Sequence, residues 1–504
     1  MPMLSYTGHP FIDVGLAAIA AHAGKRRVGD LTAADLDQVA RYVEQNYVRP
    51  PLRGHLTMAF TANAWFVQDA FNPDKPELSE EKRAERRATR ERWAAHHLRQ
   101  WEQAEESSGE VCVFSGLPAA SRELSGKLAA GRIGRNQMPL LQGDDAINFF
   151  TGGAPGLPIA PQILLALQFM PMGCAKVGVG LLAVHADNEE LTYEFARSFL
   201  KKNRSNVLQS QLANEDKLPG APRALKTLLV EELLTIEERR IKEERTGERA
   251  ASISAYNFNN GKSPQLVIYH LPLQITRFLR TVQTPTYREA WQQIVGRGWQ
   301  QIAAKSGKKA APAEAPRYNY LFEDLFSLPQ QARRFVRTYF LRVPQRARFD
   351  GDPRADYSPN RERDMICWPL VALFLKEVMT MDDDRIEQIK LLGDKLAEYT
   401  RQQGGKKFFR QFFIEQKTAS FLNLLSKTNI NYVRFTQGAD TLFNLESYLT
   451  VFMDGEELMR PDWRLARDLV LIRMVEKLRD WIANNPDAMS DEDLQPEPTE
   501  AEAR

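Results

Sequence analysis

The residues most suited to chemistry lie in one basic segment, 125–137, where glycine alternates with cations and two amides follow. Its side chains that could contact a nucleic acid are Lys127, Arg132, Arg135, Asn136 and Gln137. Lysine and arginine neutralise phosphates, whereas asparagine and glutamine amides carry the paired donor and acceptor that read a base edge. The segment therefore predicts a nucleic-acid contact, and a flexible surface loop is the alternative.

Two other groups of residues are weaker candidates for the same role. Asn259, Asn260 and Lys262 lie in a turn between two apolar segments, where asparagine and glycine tolerate positive φ. Lys406, Lys407 and Arg410 flank a pair of phenylalanines. Cations next to aromatic rings could form a groove for a single strand, although a solvated helix face has the same pattern.

A competing hypothesis is a divalent-metal nuclease. Asp144 and Asp145 sit in a glycine-flanked loop and could recruit a metal ion, and His185 stands near Asp187, which could orient it as a base. A turn and a strand end explain the same residues without catalysis. The sequence contains no GxxxxGK[ST], GxSxG or HExxH motif, so it favours binding over catalysis.

The cysteines do not predict a zinc site. Cys112 is followed at the knuckle spacing by Ser115, and one thiolate cannot build a tetrahedral zinc centre. The other two cysteines, Cys174 and Cys367, are far apart, as is typical of reduced thiols in a cytoplasm. We expect no metal and no cofactor.

The N-terminal part predicts a mixture of helices and strands. Thr32 is a candidate N-cap, and an asparagine–glycine turn predicts a hairpin. The predicted helices are 11–23, 32–46, 79–106, 189–202 and 224–244, and the predicted strands are 177–185, 252–258 and 265–271.

The C-terminal part predicts an antiparallel helix bundle, with helices at 365–379, 383–402, 406–426, 440–453 and 463–484. The fold class is therefore α+β. The predicted domains are 1–355, 356–485 and a disordered acidic tail at 486–504, with a linker at 305–316.

Charge is unevenly distributed although the net charge is only +2. Residues 485–504 hold seven acids and one base, so the body before them carries 66 bases against 58 acids. A basic body suits an anionic polymer. No stretch approaches the roughly 20 apolar residues of a membrane span, and we expect a cytoplasmic protein.

Four stretches resemble one family, the large subunit of type I CRISPR surveillance complexes (Cascade), in the type I-B branch called the Cst or Tneap type. They cover the N-terminal half in patches. The stretches are Tyr6–Asp13 (YTGHPFID), Ala146–Phe150 (AINFF), Leu167–Gly173 (LQFMPMG) and Leu181–Asn188 (LLAVHADN).

The resemblance implies a role in antiviral defence. Such a subunit stands at the foot of the crRNA-bound complex, recognises the protospacer-adjacent motif on double-stranded DNA and supports R-loop formation. Its partners would be crRNA, target DNA, the other Cascade subunits, and a separate helicase-nuclease or transposition proteins. Base pairing would read the target, and the protein would read only the short flanking motif.

The helical C-terminal part is similar to the small subunits of these complexes, which in related systems are also made from an internal start. Some relatives carry Cys-x-x-Cys pairs, which Ser115 interrupts here. A third class of function, a non-catalytic protein scaffold, stays open beside DNA binding and the nuclease.

Overall fold

The computed structural model is of the mixed α+β class that the sequence predicts. It describes residues 4–99, 101, 109–141, 153–243, 249–261, 263–301, 317–347, 351–415, 417–454 and 458–489. Asp144, Asp145, Lys262, the predicted linker and nearly all of the acidic tail lie outside these residues. The chain divides into two compact units, Met1–Leu273 and Gln274–Arg504.

The first unit consists of helices and a small antiparallel sheet. The helices are α1 (Pro10–His22), α2 (Ala33–Asn46), α3 (Leu52–Leu56), α4 (Glu80–His97), α5 (Pro161–Phe169), α6 (Glu189–Leu212) and α7 (Leu225–Lys242). The strands are β1 (Arg132–Ile133), β2 (Leu157–Pro158), β3 (Ala175–Val177), β4 (Gly180–Ala186), β5 (Ile253–Asn259) and β6 (Gln265–Leu271).

The beginning of α2 confirms the prediction that Thr32 is its N-cap. The Thr32 hydroxyl accepts a hydrogen bond from the Asp35 amide at 3.3 Å, and the Asp35 carboxylate accepts one from the Thr32 amide at 2.9 Å. This reciprocal pair is a capping box, which satisfies amides that the first turn of a helix leaves unpaired. Local sequence therefore determines where this helix begins.

Helix α1 is the central helix of the first unit, because nearly all of its residues are buried. Gly15 allows α1 to approach α5 at backbone distance, since a Cβ built on Gly15 would stand 2.0 Å from the carbonyl oxygen of Ala166. Any side chain there would overlap the backbone of α5. The glycine therefore fixes how α5 lies on the core.

Strands β3 to β6 form one antiparallel sheet in chain order. The predicted hairpin is confirmed, with β5 pairing β6 from Ile253 opposite Leu271 to Asn259 opposite Gln265. The separate pair β1–β2 is antiparallel and closes the 125–137 segment onto residues 157–158.

The described residues of the second unit are mainly helical, with one short antiparallel pair, β7 (Met453–Asp454) and β8 (Leu458–Met459), and an isolated bridge between Trp299 and Asn319. Its helices are α8 (Leu273–Thr281), α9 (Pro285–Arg297), α10 (Tyr320–Leu325), α11 (Ala332–Phe335), α12 (Trp368–Glu377), α13 (Asp383–Tyr399), α14 (Gly405–Ile414), α15 (Thr418–Phe435), α16 (Leu445–Phe452), α17 (Trp463–Lys477) and α18 (Arg479–Ala483).

The predicted boundary at residue 355 lies inside the second unit, whose division from the first is at Leu273/Gln274. A buried ion cluster shows why residues before 355 belong with the later helices. Asp468 on α17 is fully buried and lies 2.9 Å from Arg337 and 3.2 Å from Arg333. Both arginines precede 355, so tertiary contacts join segments that composition separates.

The predicted helix 406–426 is two helices, α14 and α15, with residues 415–417 between them. Within the described ranges, none of the helices is long and apolar enough to cross a bilayer.

Candidate nucleic-acid interface

Arg132 holds the 125–137 loop in place and is not a candidate contact, contrary to the prediction. Its side chain is largely buried and forms an ion pair with Glu110, with Nε–Oε2 at 2.9 Å and Nη2–Oε1 at 2.5 Å. Nη1 also donates to the carbonyl oxygen of Gly156 at 2.9 Å. The guanidinium is thus committed to protein acceptors, and its hydrogen bond holds the pKa of Glu110 below its ordinary value.

Gln137 also has a structural role, because its amide joins two parts of the loop. Nε2 donates to the Leu124 carbonyl at 3.0 Å, and Oε1 accepts from the Gly134 amide at 3.1 Å. These two bonds use one donor and the acceptor of the side chain that would otherwise read a base edge. Gln137 therefore shapes the loop from inside.

The other three residues of the loop prediction are accessible. Lys127 and Asn136 are exposed, and Arg135 is partly exposed. Neither cation forms an ion pair with any residue that the structure describes. The Asn136 carbonyl oxygen accepts from the Thr61 hydroxyl at 2.8 Å, which orients the amide. Two available cations and one oriented amide are the contact set that this loop offers.

The loop forms one wall of a cavity of about 200 Å³. Ser125, Asn136 and Gln137 line it from the loop. The opposite lining comes from far apart in the sequence and comprises, among others, Trp65, Trp93, His97 and Gln168. The fold thus brings the predicted amides together with an aromatic wall. We call this cavity the indole–amide pocket.

Three rings form a stacked column along the indole–amide pocket. The centroids of Trp65 and Trp93 are 4.2 Å apart at an interplanar angle of 23°, and those of Trp93 and His97 are 4.5 Å apart at 13°. Burial lowers the pKa of His97 to about 4, so the imidazole is neutral near pH 7. The wall is therefore uncharged near pH 7.

Gln168 contributes a buried amide to the same pocket from the last turn of α5. The residue is only 4% exposed. Its Oε1 accepts from the Trp65 indole N–H at 3.4 Å, and its backbone carbonyl accepts from the Tyr47 hydroxyl at 2.7 Å. Both ends of the residue are thus fixed relative to the aromatic column.

The sequence prediction missed Trp65, Trp93, His97 and Gln168 as site residues. The spacing of Trp93 and His97 was a usable signal, because residues four apart lie on one face of a helix. No comparable signal linked them to Trp65 or Gln168, since only the tertiary fold brings α4 and α5 to one cavity.

The hairpin residues are structural. Asn260 is 1% exposed, and its Nδ2 donates to the Ala59 carbonyl at 3.1 Å while its backbone N–H donates to Met58 at 2.8 Å. Asn259 donates to the Val179 carbonyl at 2.6 Å and accepts from Gly261 at 2.9 Å. Asn260 therefore cannot contact a nucleic acid, contrary to the prediction, and Asn259 is engaged in shaping the turn.

His185 has a different carboxylate partner from the predicted one. Its Nε2 lies 3.0 Å from Oδ2 of Asp13, which is 1% exposed, and not against Asp187. Among the described residues, no group of three or more histidine, cysteine or acidic side chains could hold a metal ion. His185 thus forms a partly buried structural pair with Asp13.

In the second unit, Lys406, Lys407 and Arg410 lie on the exposed face of α14. The adjacent phenylalanines are buried, with Phe408 at 6% and Phe409 at 0% exposure. Their rings pack in the core and cannot stack on bases, so the predicted aromatic groove is wrong. What α14 offers a polymer is positive charge alone.

The charge of α14 continues along the chain. Between residues 399 and 439 the sequence has one acid, Glu415, and seven cations. The cations are Arg401, Lys406, Lys407, Arg410, Lys417, Lys427 and Arg434. Lys427 and Arg434 are exposed on α15. We call the exposed side chains of this set the α14–α15 basic surface.

No family model, curated protein or solved structure matches this chain. The resemblance to the CRISPR large subunit therefore rests on the four sequence stretches quoted above.

Proposed function

We propose that this chain is the large subunit of a crRNA-guided CRISPR surveillance complex, which binds double-stranded DNA beside the target and supports R-loop formation. One observation carries the DNA-binding part of the proposal. The loop that presents Lys127, Arg135 and Asn136 also borders the indole–amide pocket. Cations that can hold phosphates thus stand next to a cavity equipped to hold a base.

The α14–α15 basic surface supports a second contact in this proposal. The segment has seven cations and one acid over 41 residues, and Asp487 lies 3.6 Å from Lys406. The net charge is still positive and attracts a phosphate backbone without sequence preference. We assign it to the displaced single strand. The assembly would act in the cytoplasm with crRNA, the other Cascade subunits, and a separate helicase-nuclease or transposition machinery.

The first experiment tests for the guide. The chain is co-expressed with the products of its neighbouring genes and purified, and any bound RNA is sequenced. We expect a CRISPR-derived guide and retention of a matching double-stranded target. A complex without guide RNA that does not bind a matching target overturns the CRISPR assignment.

The second experiment tests the loop in that complex. We expect Lys127→Ala/Arg135→Ala/Asn136→Ala to weaken target binding and to reduce the slope of log affinity against log salt by about 2, because two phosphate contacts are lost. The control Arg27→Ala/Lys201→Ala/Gln211→Ala removes two exposed cations and an amide outside the loop. Equal affinity of both variants removes the loop from the interface and favours a scaffold.

The nuclease hypothesis has its own test. Magnesium-dependent cleavage by the purified chain, lost in Asp144→Ala/Asp145→Ala, would replace the binding proposal with a catalytic one.

A further inference from the structure

We propose that the indole–amide pocket holds a single unpaired nucleobase and selects a keto base, guanine or thymine, over adenine and cytosine. This inference rests on the proposed function for the identity of the polymer. It adds to that function a ligand class and a specificity residue, Gln168.

The size of the pocket limits the size of the ligand that it can hold. Its volume of about 200 Å³ is below the ~300–1,000 Å³ typical of pockets for drug-sized ligands. One planar ring system fits such a volume, whereas a whole nucleotide does not. The sugar and phosphate would stay at the rim, where Asn136 is exposed and Arg135 is its neighbour in the chain.

The orientation of the Gln168 amide determines which of its atoms can face a ligand. The Trp65 indole nitrogen is only a donor, so the Gln168 group that faces it must be the carbonyl oxygen. The opposite orientation would bring two donors together. Nε2 therefore points away from Trp65, and it has no protein acceptor among the residues that the structure describes. A side chain that is 4% exposed and lines the pocket thus offers it an unused N–H donor.

A second donor lies on the same wall. The Trp93 indole also lines the pocket, and its N–H has no acceptor within the described ranges. Asn136 is oriented by Thr61 through its carbonyl oxygen, which leaves its amide nitrogen available at the rim. Gln168, Trp93 and Asn136 therefore each present an N–H donor to the pocket or its rim.

Donors select the chemical class of the base. Guanine presents the acceptors O6 and N7, and thymine presents O4, whereas cytosine and adenine carry an amino group at the corresponding ring position. An amino group placed against Gln168 Nε2 would leave two donors facing each other with no acceptor. When this ring position faces Gln168, a keto base supplies the acceptor that Nε2 needs, whereas an amino base does not.

The aromatic column explains why the base must be unpaired. Trp93 is stacked between Trp65 and His97, so both of its faces are occupied. A ligand meets ring edges and amides inside a cavity, which a base stacked within a duplex cannot reach. Unpairing costs least where the duplex is already being opened, which in the proposed function is beside the flanking motif.

The probe is a 12-nucleotide strand of abasic spacers that carries one thymine, guanine, cytosine or adenine in the middle. Binding to the full chain is measured by fluorescence anisotropy. We expect the thymine and guanine strands to bind about 10-fold more tightly than the cytosine and adenine strands. Equal affinities, or no binding of any strand, overturn the pocket assignment.

Substitutions at residue 168 test the mechanism of selection. Gln168→Met removes the donor at similar volume and should abolish the preference. Gln168→Glu keeps the acceptor for Trp65 and presents a second acceptor, so the preference should invert toward cytosine and adenine. The control Gln211→Glu makes the same change on the exposed surface of α6 and should keep the wild-type preference.

Two further readouts keep these results interpretable. Thermal unfolding verifies that each variant is folded, and a folded Gln168→Met variant with wild-type preference overturns the role of Gln168. Guide-dependent target binding without single-base preference would leave the proposed function standing and remove the pocket. Single-base preference in a chain that assembles with no guide would keep the pocket and remove the CRISPR assignment.

Discussion

The imidazole of His185, on β4, donates from Nε2 to Oδ2 of Asp13, on α1, at 3.0 Å, and so joins residues 172 positions apart in the sequence. The same buried carboxylate accepts from the amides of Thr7 at 2.7 Å and Gly8 at 2.9 Å. One side chain therefore links the beginning of the chain, the central helix and the sheet. All the donors around it require an acceptor, which is what an ionised carboxylate supplies.

We expect Asp13→Asn to destabilise the protein by about 1–3 kcal/mol, because the new amide would face groups that are themselves donors. Chemical denaturation measures the change. Asp187→Asn is the control, since Asp187 is not the partner of His185, and its unfolding curve should match that of the wild type. An Asp13→Asn protein as stable as Asp187→Asn would contradict the role of this carboxylate.

The Arg132→Met variant tests whether Arg132 stabilises the loop and does not contact DNA. The variant loses the Glu110 ion pair and the hydrogen bond to Gly156, so we expect a loss of stability and faster proteolysis within 125–137. Limited proteolysis followed by mass spectrometry locates the cuts. Arg135→Met should retain the protection of the wild type. Equal cleavage of the two variants would show that Arg132 does not hold the loop.

The α14–α15 basic surface predicts a loss of binding without a loss of stability. Lys406→Ala/Lys407→Ala/Arg410→Ala should weaken single-strand binding and its salt dependence while the melting temperature is unchanged. Phe409→Ala should cost about 3–5 kcal/mol, because the ring is buried in the core. The control Lys376→Ala/Lys390→Ala removes cations that are paired with Asp383 and Glu387. If the control weakens binding as much as the α14 variant, the surface has no special role.

Acid should destabilise the first unit through a buried histidine. His55 is 2% exposed, its Nε2 lies 2.9 Å from the Pro171 carbonyl, and burial lowers its pKa to about 4 from 6.5. The folded state disfavours the proton that the unfolded chain accepts. This contribution to stability is therefore complete above pH 6.5 and is lost as the pH falls toward 4, by about 3 kcal/mol.

The corresponding variant is His55→Gln, which keeps a donor for Pro171 and cannot titrate. Its free energy of unfolding should fall less between pH 6.5 and 4 than that of the wild type, as measured by urea denaturation at several pH values. His22 and His97 have similarly lowered pKa values, so a smaller but nonzero slope should persist. Identical slopes for wild type and variant would exclude His55 as a source.

Asp468→Asn should destabilise the second unit by about 3–5 kcal/mol, because it removes the carboxylate that pairs with the fully buried guanidinium of Arg467. Burial opposes ionisation, but Arg337, Arg467 and Arg333 together hold the pKa of Asp468 below its ordinary value. The stabilisation is thus present at neutral pH and is lost only as the pH falls below about 3.8. Asp487→Asn, in an exposed pair with Lys406, is the control for the denaturation curve. A variant as stable as this control would show that the cluster contributes nothing.

Local signals predicted local structure well. The Thr32 N-cap and the β5–β6 hairpin depend on neighbouring residues, and both predictions are confirmed. The roles of Arg132 and Asn260 depend on Glu110 and Ala59, and no local signal identifies such partners. Sequence reasoning therefore located the 125–137 loop. It predicted that Arg132 contacts a nucleic acid, whereas Arg132 holds the loop in place.

The phenylalanines of α14 could have been interpreted from spacing alone. Phe408, Phe409, Phe412 and Phe413 repeat at the interval of one helix face, which is the pattern of a buried stripe. The indole–amide pocket gives no such pattern, because its lining comes from separate helices and loops. The hydrogen-bond donors of the pocket can be assigned only when the orientation of the Gln168 amide is known.

The close approach of Gly15 to Ala166 makes residue 15 a remote determinant of ligand choice. Gln168 follows Ala166 by two positions on α5, so any displacement of that helix also moves the amide that faces the pocket. A methyl group at residue 15 would act on α5 without entering the ligand cavity. In a mutational scan for altered base preference, we therefore expect hits at a core glycine that no ligand touches.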